Sequence, residues 1–576
     1  MSIQLRAKLP VGAALAALLA GTAMPAWAQD YGSDGGGYGG SDGSDAASAA
    51  PEDTSTKAEK RAKKRSERRQ VNVTPYLEVD QVLTADLKNG GDVLTYTALA
   101  AGVDASVSTR RVEVAASVRY ERRLAWNKDI NDQDVVSGIA RGRVEVAEGF
   151  NLEAGGLASR SRLDSRGAAN GILAGDADNV ANVYSVYAGP TVATKVAGLD
   201  VGAGYRYGYN KVEVESPAVL PGGAQPVDIF DSSQNHVAWA SVGARPGMLP
   251  VGWQISGGWE REDASQLDQR FDGKYARFDV TLPVNRTLAL IGGVGYEDIE
   301  ISQRDALRDV AGVPLRGPDG RFLTDPSSAR QLAFDVDGLI WDAGVMWQPN
   351  QRLSATAKVG RRYGDTIYTG SLTYRADHAT SFQVGVYNGL SSFGRGLSGG
   401  LAALPTQFDV ARNPIDGGIS SCVFGAQGSG CLNPALGAAV SAQYRSRGIQ
   451  ALMSTQAGGW SIGIGGGYDQ RRFLAPELAG LFSVNGAVDE NYYLTMTVAR
   501  ALDRRSDISF NGYVNYFDNG LPGAPDVLAA GATAAYTREI FQNLRGQAAV
   551  GLNAFDQDGV NNALIGSALV GLRYSF

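Results

Sequence analysis

The chain has 576 residues, a formal net charge of −7 and a mean hydropathy of −0.15, with 74 glycines. An acidic balance of this kind disfavours a nucleic-acid partner, and we expect none. The length would suit several soluble domains, but such domains should show helices with a 3.6-residue apolar period. That period is almost absent after residue 71, which argues against a multidomain soluble protein.

Residues 1–28 have the features of a secretory signal peptide. Arg6 and Lys8 make a positive start, residues 11–20 form a short apolar core, and Ala26-Trp27-Ala28 matches a small-residue cleavage site. No cysteine follows the cleavage site, so a lipoprotein signal is not expected. No later run reaches the 18 or so apolar residues that a membrane-spanning helix needs. We therefore predict an exported chain.

Residues 29–70 are predicted to form a disordered periplasmic leader. The stretch 29–51 is rich in Gly, Ser and Asp and cannot bury a core. The stretch 57–69 then carries eight Lys or Arg against two Glu. Two interpretations of this basic stretch are open: a solvated linker, or a tether to anionic lipid headgroups or another envelope polyanion.

From Val71 onward the sequence alternates apolar and polar residues. In 112–123, Val112, Val114, Ala116, Val118 and Tyr120 alternate with polar and charged residues, and 200–210, 253–262 and 508–516 follow the same pattern. Side chains on a strand point to opposite faces with period two. The pattern therefore predicts strands with one apolar and one polar face.

The connections between these strands alternate in length, which is typical of a membrane barrel with brief periplasmic turns and long external loops. Short connections are predicted at 107–110, 148–150, 283–285, 348–351, 458–459 and 503–505, and longer ones at 164–179, 214–232, 303–331, 391–436 and 475–489. The predicted fold is all-β: a transmembrane antiparallel outer-membrane β-barrel over residues 71–576. We expect about 22 strands, with roughly 20 to 24 compatible, and an even number places both termini in the periplasm.

The last strand, residues 568–576 (ALVGLRYSF), is predicted to close this barrel. Phe576, Tyr574 and Leu572 share its apolar face, while Arg573 and Ser575 lie on the polar one. An aromatic carboxyl-terminal residue suits the periplasmic girdle of a barrel and resembles the signal that the barrel-assembly machinery of Gram-negative bacteria reads. The alternative is an ordinary amphipathic edge strand. We expect the bacterial outer membrane as the location, its lipid and the assembly machinery as partners, and Phe576, Tyr574 and Leu572 as the assembly signal.

Four stretches resemble a β-barrel porin family (type 2) of alphaproteobacteria. They are residues 94–111 (LTYTALAAGVDASVSTRR), 120–126 (YERRLAW), 444–448 (YRSRG) and 467–473 (GYDQRRF). The resemblance extends over most of the chain after Val71. The resemblance implies an outer-membrane barrel that acts as a porin, and it does not indicate a substrate.

The alternation also predicts which charged side chains face the lumen. They are Arg119, Arg123, Arg141, Arg143, Arg206, Arg277, Arg362, Arg375, Arg471, Arg545, Arg573, Glu113, Glu121, Glu145, Asp200, Glu260, Glu262, Asp279 and Asp469. So many charges cannot be buried dry, because an unpaired buried charge costs several kcal/mol. We expect a wet lumen or one filled by a polar plug. The charges form either cross-strand ion pairs that hold the wall together or a charged pore, and a slight excess of Arg indicates a lumen tolerant of anions.

Loop 391–436 is the first candidate for a constriction or lid, and loop 303–331 is the second. Cys422 and Cys431 lie within the first loop, and in an exported chain such a close pair is expected to form a disulfide. The loop either folds into the barrel mouth or lies outside it. His236 and His378 are the only histidines and are expected at opposite ends of strands. We therefore predict no enzymatic activity, metal site or cofactor.

The function predicted from the sequence is a porin-like channel: a wide, water-filled barrel for diffusion of small polar or anionic solutes. The alternative is an exporter or surface component for an acidic polysaccharide. A TonB-dependent receptor would need a plug domain before the barrel, and only about 40 residues separate the cleavage site from Val71. The oligomeric state is left open, a homo-oligomer included.

Overall fold

The computed structural model describes residues 70–88, 93–126, 132–162, 180–214, 228–246, 249–425, 428–432, 436, 439–476, 484–520, 526–557 and 562–576. The predicted signal peptide, residues 1–28, and all but the last residue of the predicted leader, residues 29–70, lie outside these ranges. In the part of the chain that is described, no helix is long and apolar enough to cross a membrane.

The described chain contains 24 strands and one α-helix. The bounds are β1 Gln70–Asp86, β2 Leu94–Ser108, β3 Val112–Ala125, β4 Gln133–Ala147, β5 Phe150–Arg162, β6 Val180–Val196, β7 Leu199–Val214, β8 Ser232–Ala244, β9 Gly252–Ala264, β10 Gln269–Pro283, β11 Leu288–Gln303, β12 Gln331–Asn350, β13 Leu353–Arg362, β14 Asp365–Arg375, β15 Thr380–Ser391, α1 Phe393–Ala403, β16 Cys422–Val423, β17 Gly430–Cys431, β18 Gln443–Ala457, β19 Trp460–Leu474, β20 Val488–Ala501, β21 Ser506–Asp518, β22 Val527–Phe541, β23 Leu544–Gln557 and β24 Ala563–Ser575. A short 3₁₀ turn, Gln266–Asp268, joins β9 to β10.

Twenty-two of these strands form one closed antiparallel barrel. Each strand pairs with its neighbour in the chain, β15 pairs with β18 across the small hairpin β16–β17, and β1 pairs with β24. Closure gives every wall strand a paired neighbour on each side and removes the exposed edges that an open sheet would have. The predicted fold class and strand number are confirmed, and the first strand begins at Gln70, one residue before the predicted Val71.

The two ends of the barrel differ in their connections. One end, which we call the terminal end, carries the start of β1, the end of β24 and the short turns, for example Gly458-Gly459 between β18 and β19. The other end, the loop end, carries the longer connections, including residues 304–330 and 392–442. The structure therefore confirms the predicted alternation of short and long connections.

The outer face of the wall carries an apolar band. On β12 it runs from Leu339, which is 79% exposed, through Trp341 to Trp347. Eight residue steps on a tilted strand span about 20 Å, close to the height of the apolar band of membrane barrels. On β24, Tyr574 and its alternating neighbours face outward in the same way. The wall thus has the surface of a lipid-facing barrel.

Candidate functional site

The described residues of the connection between β15 and β18 (392–425, 428–432, 436 and 439–442) lie inside the barrel, and we call them the inserted segment. The segment begins with α1, whose cap is the Ser392 hydroxyl oxygen, which accepts a hydrogen bond of 3.0 Å from the Arg395 amide. Leu397 and Leu401 are fully buried on one face of α1 and pack in one cluster with inward-facing side chains of β4 to β7. Of the two interpretations that the sequence left open for this loop, the structure has the internal one.

Beyond α1 the inserted segment crosses the lumen to the terminal end. The Thr406 hydroxyl donates to a Glu113 carboxylate oxygen at 2.6 Å, and the Gln407 amide donates to the Val107 carbonyl at 3.0 Å. Val107 and Glu113 flank the short turn between β2 and β3. The segment therefore occupies the whole depth of the barrel on this side.

Arg412 fixes the middle of the inserted segment to the wall. Its guanidinium donates to the Ser117 hydroxyl at 3.0 Å and to the Ser137 hydroxyl at 2.8 Å. Wall side chains bind the segment in return, since the Arg123 guanidinium donates to the Asp416 carbonyl at 2.8 Å. Charge-assisted hydrogen bonds are about twice as strong as neutral ones, so these contacts resist removal of the segment from the lumen.

The predicted disulfide between Cys422 and Cys431 is present and joins β16 to β17. This hairpin packs directly on β19. A Cβ built on Gly465 would lie 3.1 Å from both sulfur atoms, and one on Gly463 would lie 2.5 Å from the Phe424 ring. The glycine run of β19 therefore gives the hairpin a surface without side chains to lie on. The sequence showed this run, but its purpose depends on the position of a loop some 40 residues away.

Most of the charges predicted for the lumen are engaged in ion pairs with one another or with the inserted segment. Arg119 is the centre of the largest group and contacts Glu78, Asp80 at 3.3 Å and Glu121 at 2.9 Å. Arg123 also binds Glu121, at 2.7 Å. Further pairs are Arg277–Asp342, Arg277–Asp279, Arg362–Glu297, Arg471–Asp489, Arg395–Glu260 and Arg395–Glu262. Ion pairs thus hold the wall together and anchor α1.

The remaining predicted lumen residues also occupy the inner face. The Arg141 guanidinium donates to the Tyr187 hydroxyl at 3.1 Å, and Arg143 donates to the Asn151 side chain at 3.2 Å. Arg206 faces inward opposite Val237. Arg375 shares the inner face of β14 but is exposed at the terminal rim, outside the packed lumen.

The sequence predicted more arginine than acidic side chains on the lumen face, and this prediction is wrong. Inward-facing acids that it did not include are Glu78, Asp80, Asp104, Glu153, Glu297, Asp342 and Asp489. Two of them belong to β1, where they alternate with outward Leu77 and Val79. The same alternation could have found them. Whether the lumen favours anions therefore depends on the charged side chains that remain exposed to solutes, and not on the total number of arginines.

The inserted segment leaves part of the lumen wall uncovered, and we call this part the open sector. It is formed by the inner faces of β12 to β15, together with Asp279 of β10, which lies over Gly293 of the intervening strand β11. Its partly exposed side chains are polar and include Asp279, Asp342, Thr356, Lys358, Thr369, Ser371 and Gln383. Within the described residues Lys358 has no ion-pair partner. By contrast, inward side chains of β1 and β3 such as Asp80 and Glu121 are almost completely buried.

An apolar cluster closes the open sector at the loop end. It consists of Phe271, Ile299, Ile301, Tyr363 and Leu390, all buried, with partly buried neighbours on β12, β14 and β19. Hydrophobic constrictions of this kind can stop conduction by excluding water. The open sector is thus polar toward the terminal end and bordered by apolar side chains at the loop end.

Loop 304–330, the second candidate, lies across the loop end. Its Arg321 guanidinium donates to the Phe230 carbonyl at 2.9 Å and to the Val212 carbonyl at 2.8 Å. Its Phe322 amide and the Ser441 hydroxyl both donate to the Asp228 carboxylate, at 3.1 and 2.9 Å. Asp228 therefore joins three connections, including the return of the inserted segment to the wall.

Asp228 makes this junction sensitive to pH. Burial raises the pKa of Asp228 to about 6 against its hydrogen bonds to Phe322, Gln266 and Ser441 and the nearby charge of Arg316. Because the pKa of Asp228 is higher in the folded protein than the 3.8 of the unfolded chain, protonation of Asp228 stabilises the folded state. This contribution is fully present below pH 3.8 and is lost as the pH rises through about 6. We expect the melting temperature of the wild type, relative to the Asp228→Asn variant, to fall between about pH 4 and pH 6 and to level off above that range.

The matched control for this pH prediction is Asp319→Asn. Asp319 lies in the same loop, and its bond to Arg321 holds its pKa below the ordinary value although partial burial opposes this. Its substitution should give no loss of relative stability over the same range. Parallel melting curves of wild type and Asp228→Asn across pH 4–7 would contradict the assignment.

The two histidines lie far apart in the barrel. His236 faces outward on β8, where its Nδ1 lies 2.7 Å from the Tyr205 hydroxyl. His378 lies in the turn between β14 and β15 at the terminal end. The structure therefore does not bring them together.

Comparison with known proteins gives likenesses to solved outer-membrane transporters at low similarity. The FrpB iron transporter from Neisseria meningitidis (F5-1 variant) aligns at 11% identity over 87% of this chain and 82% of its own, with a TM-score of 0.42. The ferric-catecholate import receptor Fiu from E. coli K12 aligns at 10% identity over 87% and 81%, with a TM-score of 0.41. The copper transporter OprC aligns at 9% identity over 88% and 81%, with a TM-score of 0.37. At such values these likenesses carry no conclusion about this chain.

No family model matches the chain, and no curated protein matches it. The resemblance to the β-barrel porin family therefore stays a prediction.

Proposed function

We propose that the protein is an outer-membrane channel for small polar solutes, anions among them, with the terminal end in the periplasm. The observation that carries this proposal is the open sector, a polar wall that remains partly exposed beside an otherwise filled lumen. A barrel built only as a scaffold would have no need of such a passage. The wide, water-filled lumen expected from the sequence is replaced by a narrow one, because the inserted segment packs against β1 to β9 and also against β18 to β24.

The filled lumen favours a channel for small solutes over an exporter of an acidic polysaccharide. A polymer would need a clear passage, whereas α1, the hairpin β16–β17 and the arginine anchors occupy the lumen from one end to the other. Small solutes need only the space along the open sector.

The charges of the open sector support a weak preference for anions. Arg277, Lys358 and Arg375 contribute three positive charges, and Asp279 and Asp342 contribute two negative ones, which leaves an excess of one. Charge near a constriction biases which ions pass. Both aspartates are bound to Arg277, and Arg375 lies at the terminal rim. Lys358 is therefore the cation within the open sector that has no ion-pair partner among the described residues.

Planar-bilayer recording on the purified protein tests this proposal. We expect stable current steps of modest size, interrupted by long closures that correspond to the apolar cluster at the loop end. A correctly folded barrel that never conducts would contradict the channel.

The substitution Lys358→Glu is expected to reverse the ion preference, because it changes the net charge of the open sector by −2 where solutes pass. The measurement is the reversal potential in a salt gradient, and we expect its sign to change. The matched control is Lys274→Glu on the outer face of β10, where Lys274 pairs with Asp272 at 3.1 Å. Equal reversal potentials for the Lys358 variant and wild type would exclude the open sector as the conducting path.

The carboxyl-terminal strand supports a partnership with the barrel-assembly machinery. Phe576 is 67% exposed, and its ring meets the Tyr574 ring edge-on at 5.0 Å on the outer face. With Leu572 these side chains form an outward apolar row at the terminal end that nothing in the lumen requires. We include this row in the proposal as the assembly signal.

A further inference from the structure

The barrel wall has a seam between β14 and β15 toward the loop end. These strands share six residue pairs, from Gly370–Val386 to Arg375–Ser381, whereas β15 and β18 share twelve. Between Gly370 and the loop end, no ladder pair joins β14 to β15 in the described chain. The seam follows from the shortness of the hairpin β13–β14, whose tip is Tyr363-Gly364.

Three exposed arginines flank the seam on the outer face. Arg361 lies on β13, Arg447 on β18 and Arg472 on β19. None of the three has a carboxylate partner within 4 Å among the described residues, and the Arg447 guanidinium donates only to the Gln470 side chain, at 2.5 Å. Long side chains on neighbouring strands that are offset by two residues lie within reach of each other, as Arg447 and Arg472 do.

A fourth arginine, Arg445, lies directly opposite Arg472 in the ladder. It fills the seam itself, where its guanidinium donates to Asp365 at 2.6 Å and to the Tyr363 carbonyl. Like charges directly opposite each other destabilise a sheet. The four residues Arg361, Arg445, Arg447 and Arg472, which we call the arginine patch, therefore place more positive charge on this part of the wall than Asp365, and Glu490 beyond Gln470, can offset.

Other outward basic side chains toward the loop end do have partners. Arg122 binds Asp134 at 2.9 Å, Arg261 binds Asp263 at 2.7 Å, and Lys274 binds Asp272. Exposed ion pairs of this kind are the ordinary solution for charges at a rim. Arg361, Arg447 and Arg472 depart from it within the described residues, which favours a partner for them outside this chain.

The height of the patch identifies the kind of partner. Arg361 pairs directly with outward-facing Trp341, and Tyr368 is exposed close by on β14. On β19 the patch lies on the loop-end side of Tyr468, whose ring packs at a tilt against the Tyr492 ring with 4.9 Å between centroids, as in the aromatic girdle of a membrane interface. Arginines at this depth extend toward the headgroup layer, where the available anions are lipid phosphates.

We propose that the arginine patch binds the phosphate groups of a phosphorylated lipid of the outer leaflet. The guanidinium group matches phosphate with two parallel hydrogen bonds, which explains four arginines in place of lysines. The bound headgroup neutralises the patch and covers the seam, where β14 would otherwise present unpaired backbone groups near lipid. This inference rests on the outer-membrane location in the proposed function.

Native mass spectrometry of the purified barrel with defined lipids tests the site. The probes are a diphosphorylated lipid A, the same glycolipid without phosphates, and inorganic phosphate. We expect the diphosphorylated form to bind at least tenfold more tightly than the other two, because each hydrogen bond to a charged group contributes about a factor of ten or more. Equal binding of the two glycolipids, or binding of inorganic phosphate as tight as the lipid, would overturn the proposal.

The variants locate the binding. The double substitution Arg447→Gln with Arg472→Gln should lower the affinity for diphosphorylated lipid at least tenfold, while Arg122→Gln, outside the patch, should leave it unchanged. Arg361→Gln alone serves as a second variant if the double variant does not fold. Equal loss in the patch and control variants would refute the site. Conductance recorded on the same preparation separates the two claims, since a conducting barrel without lipid selectivity refutes only the lipid site.

Discussion

Replacement of residues 393–441 by a short Gly-Ser linker is expected to raise the single-channel conductance at least several-fold. Ser391 and Tyr444 are paired directly, so a few residues suffice to join β15 to β18 without strain on the wall. The deletion removes α1, the disulfide hairpin and the arginine anchors, and it leaves a barrel of 22 strands without filling. Barrels of this size have a lumen wide enough to hold a plug, and conductance rises with the open cross-section.

The control for this deletion is the pair of substitutions Cys422→Ser and Cys431→Ser, which keeps the inserted segment but removes its cross-link. It should conduct nearly as the wild type does, with more frequent opening. If the deleted barrel folds and still shows wild-type conductance, the inserted segment does not limit the pore.

The second large effect is expected at Arg119. The Arg119→Met substitution leaves Glu78, Asp80 and Glu121 buried without their shared cation. Removing one partner of a buried ion pair costs roughly 3 to 5 kcal/mol. We expect about 3 kcal/mol in the free energy of unfolding, at the low end of that range, because Arg573 still binds Glu78 and Arg123 still binds Glu121. Urea titration in a lipid or detergent system that permits refolding measures it.

Arg122 provides the matched control on the same strand. Its side chain points outward, is 41% exposed, and binds Asp132 and Asp134 at the surface. The Arg122→Gln substitution should lower the free energy of unfolding far less than Arg119→Met does, because exposed ion pairs contribute little to stability. Similar losses for Arg119→Met and Arg122→Gln would show that the network around Arg119 does not stabilise the barrel.

The wall of the barrel could be predicted because its physics is local. Each strand has one face toward lipid and one toward the polar lumen. A period-two pattern therefore places neighbours such as Arg119 and Tyr120 on opposite faces. Short turns and long loops follow from the same requirement of closure. For this reason the strand number and the direction of the predicted lumen charges needed no knowledge of distant contacts.

The contents of the lumen could not be predicted in the same way. Arg412 lies in a loop without periodicity, and its partners Ser117 and Ser137 precede it by 295 and 275 residues. The fit of Phe424 on Gly463 likewise depends on tertiary position. One feature of the sequence could have indicated that this loop lies inside the barrel. Leu397 and Leu401 are four residues apart, which places them on one face of a helix. An apolar face on a helix in an external loop would have no surface to pack on.

The most direct test of the central claim is whether the inserted segment reaches the terminal end of the barrel. Ser106 and Gln407 make side-chain contact there at 3.5 Å, and the two native cysteines are already paired. A protein with Ser106→Cys and Gln407→Cys, treated in the membrane with a short bifunctional thiol reagent, should become cross-linked in high yield. Cleavage at a protease site introduced between the two positions would then leave the fragments joined. Efficient folding with no cross-link would contradict the filled lumen and the narrow channel proposed from it.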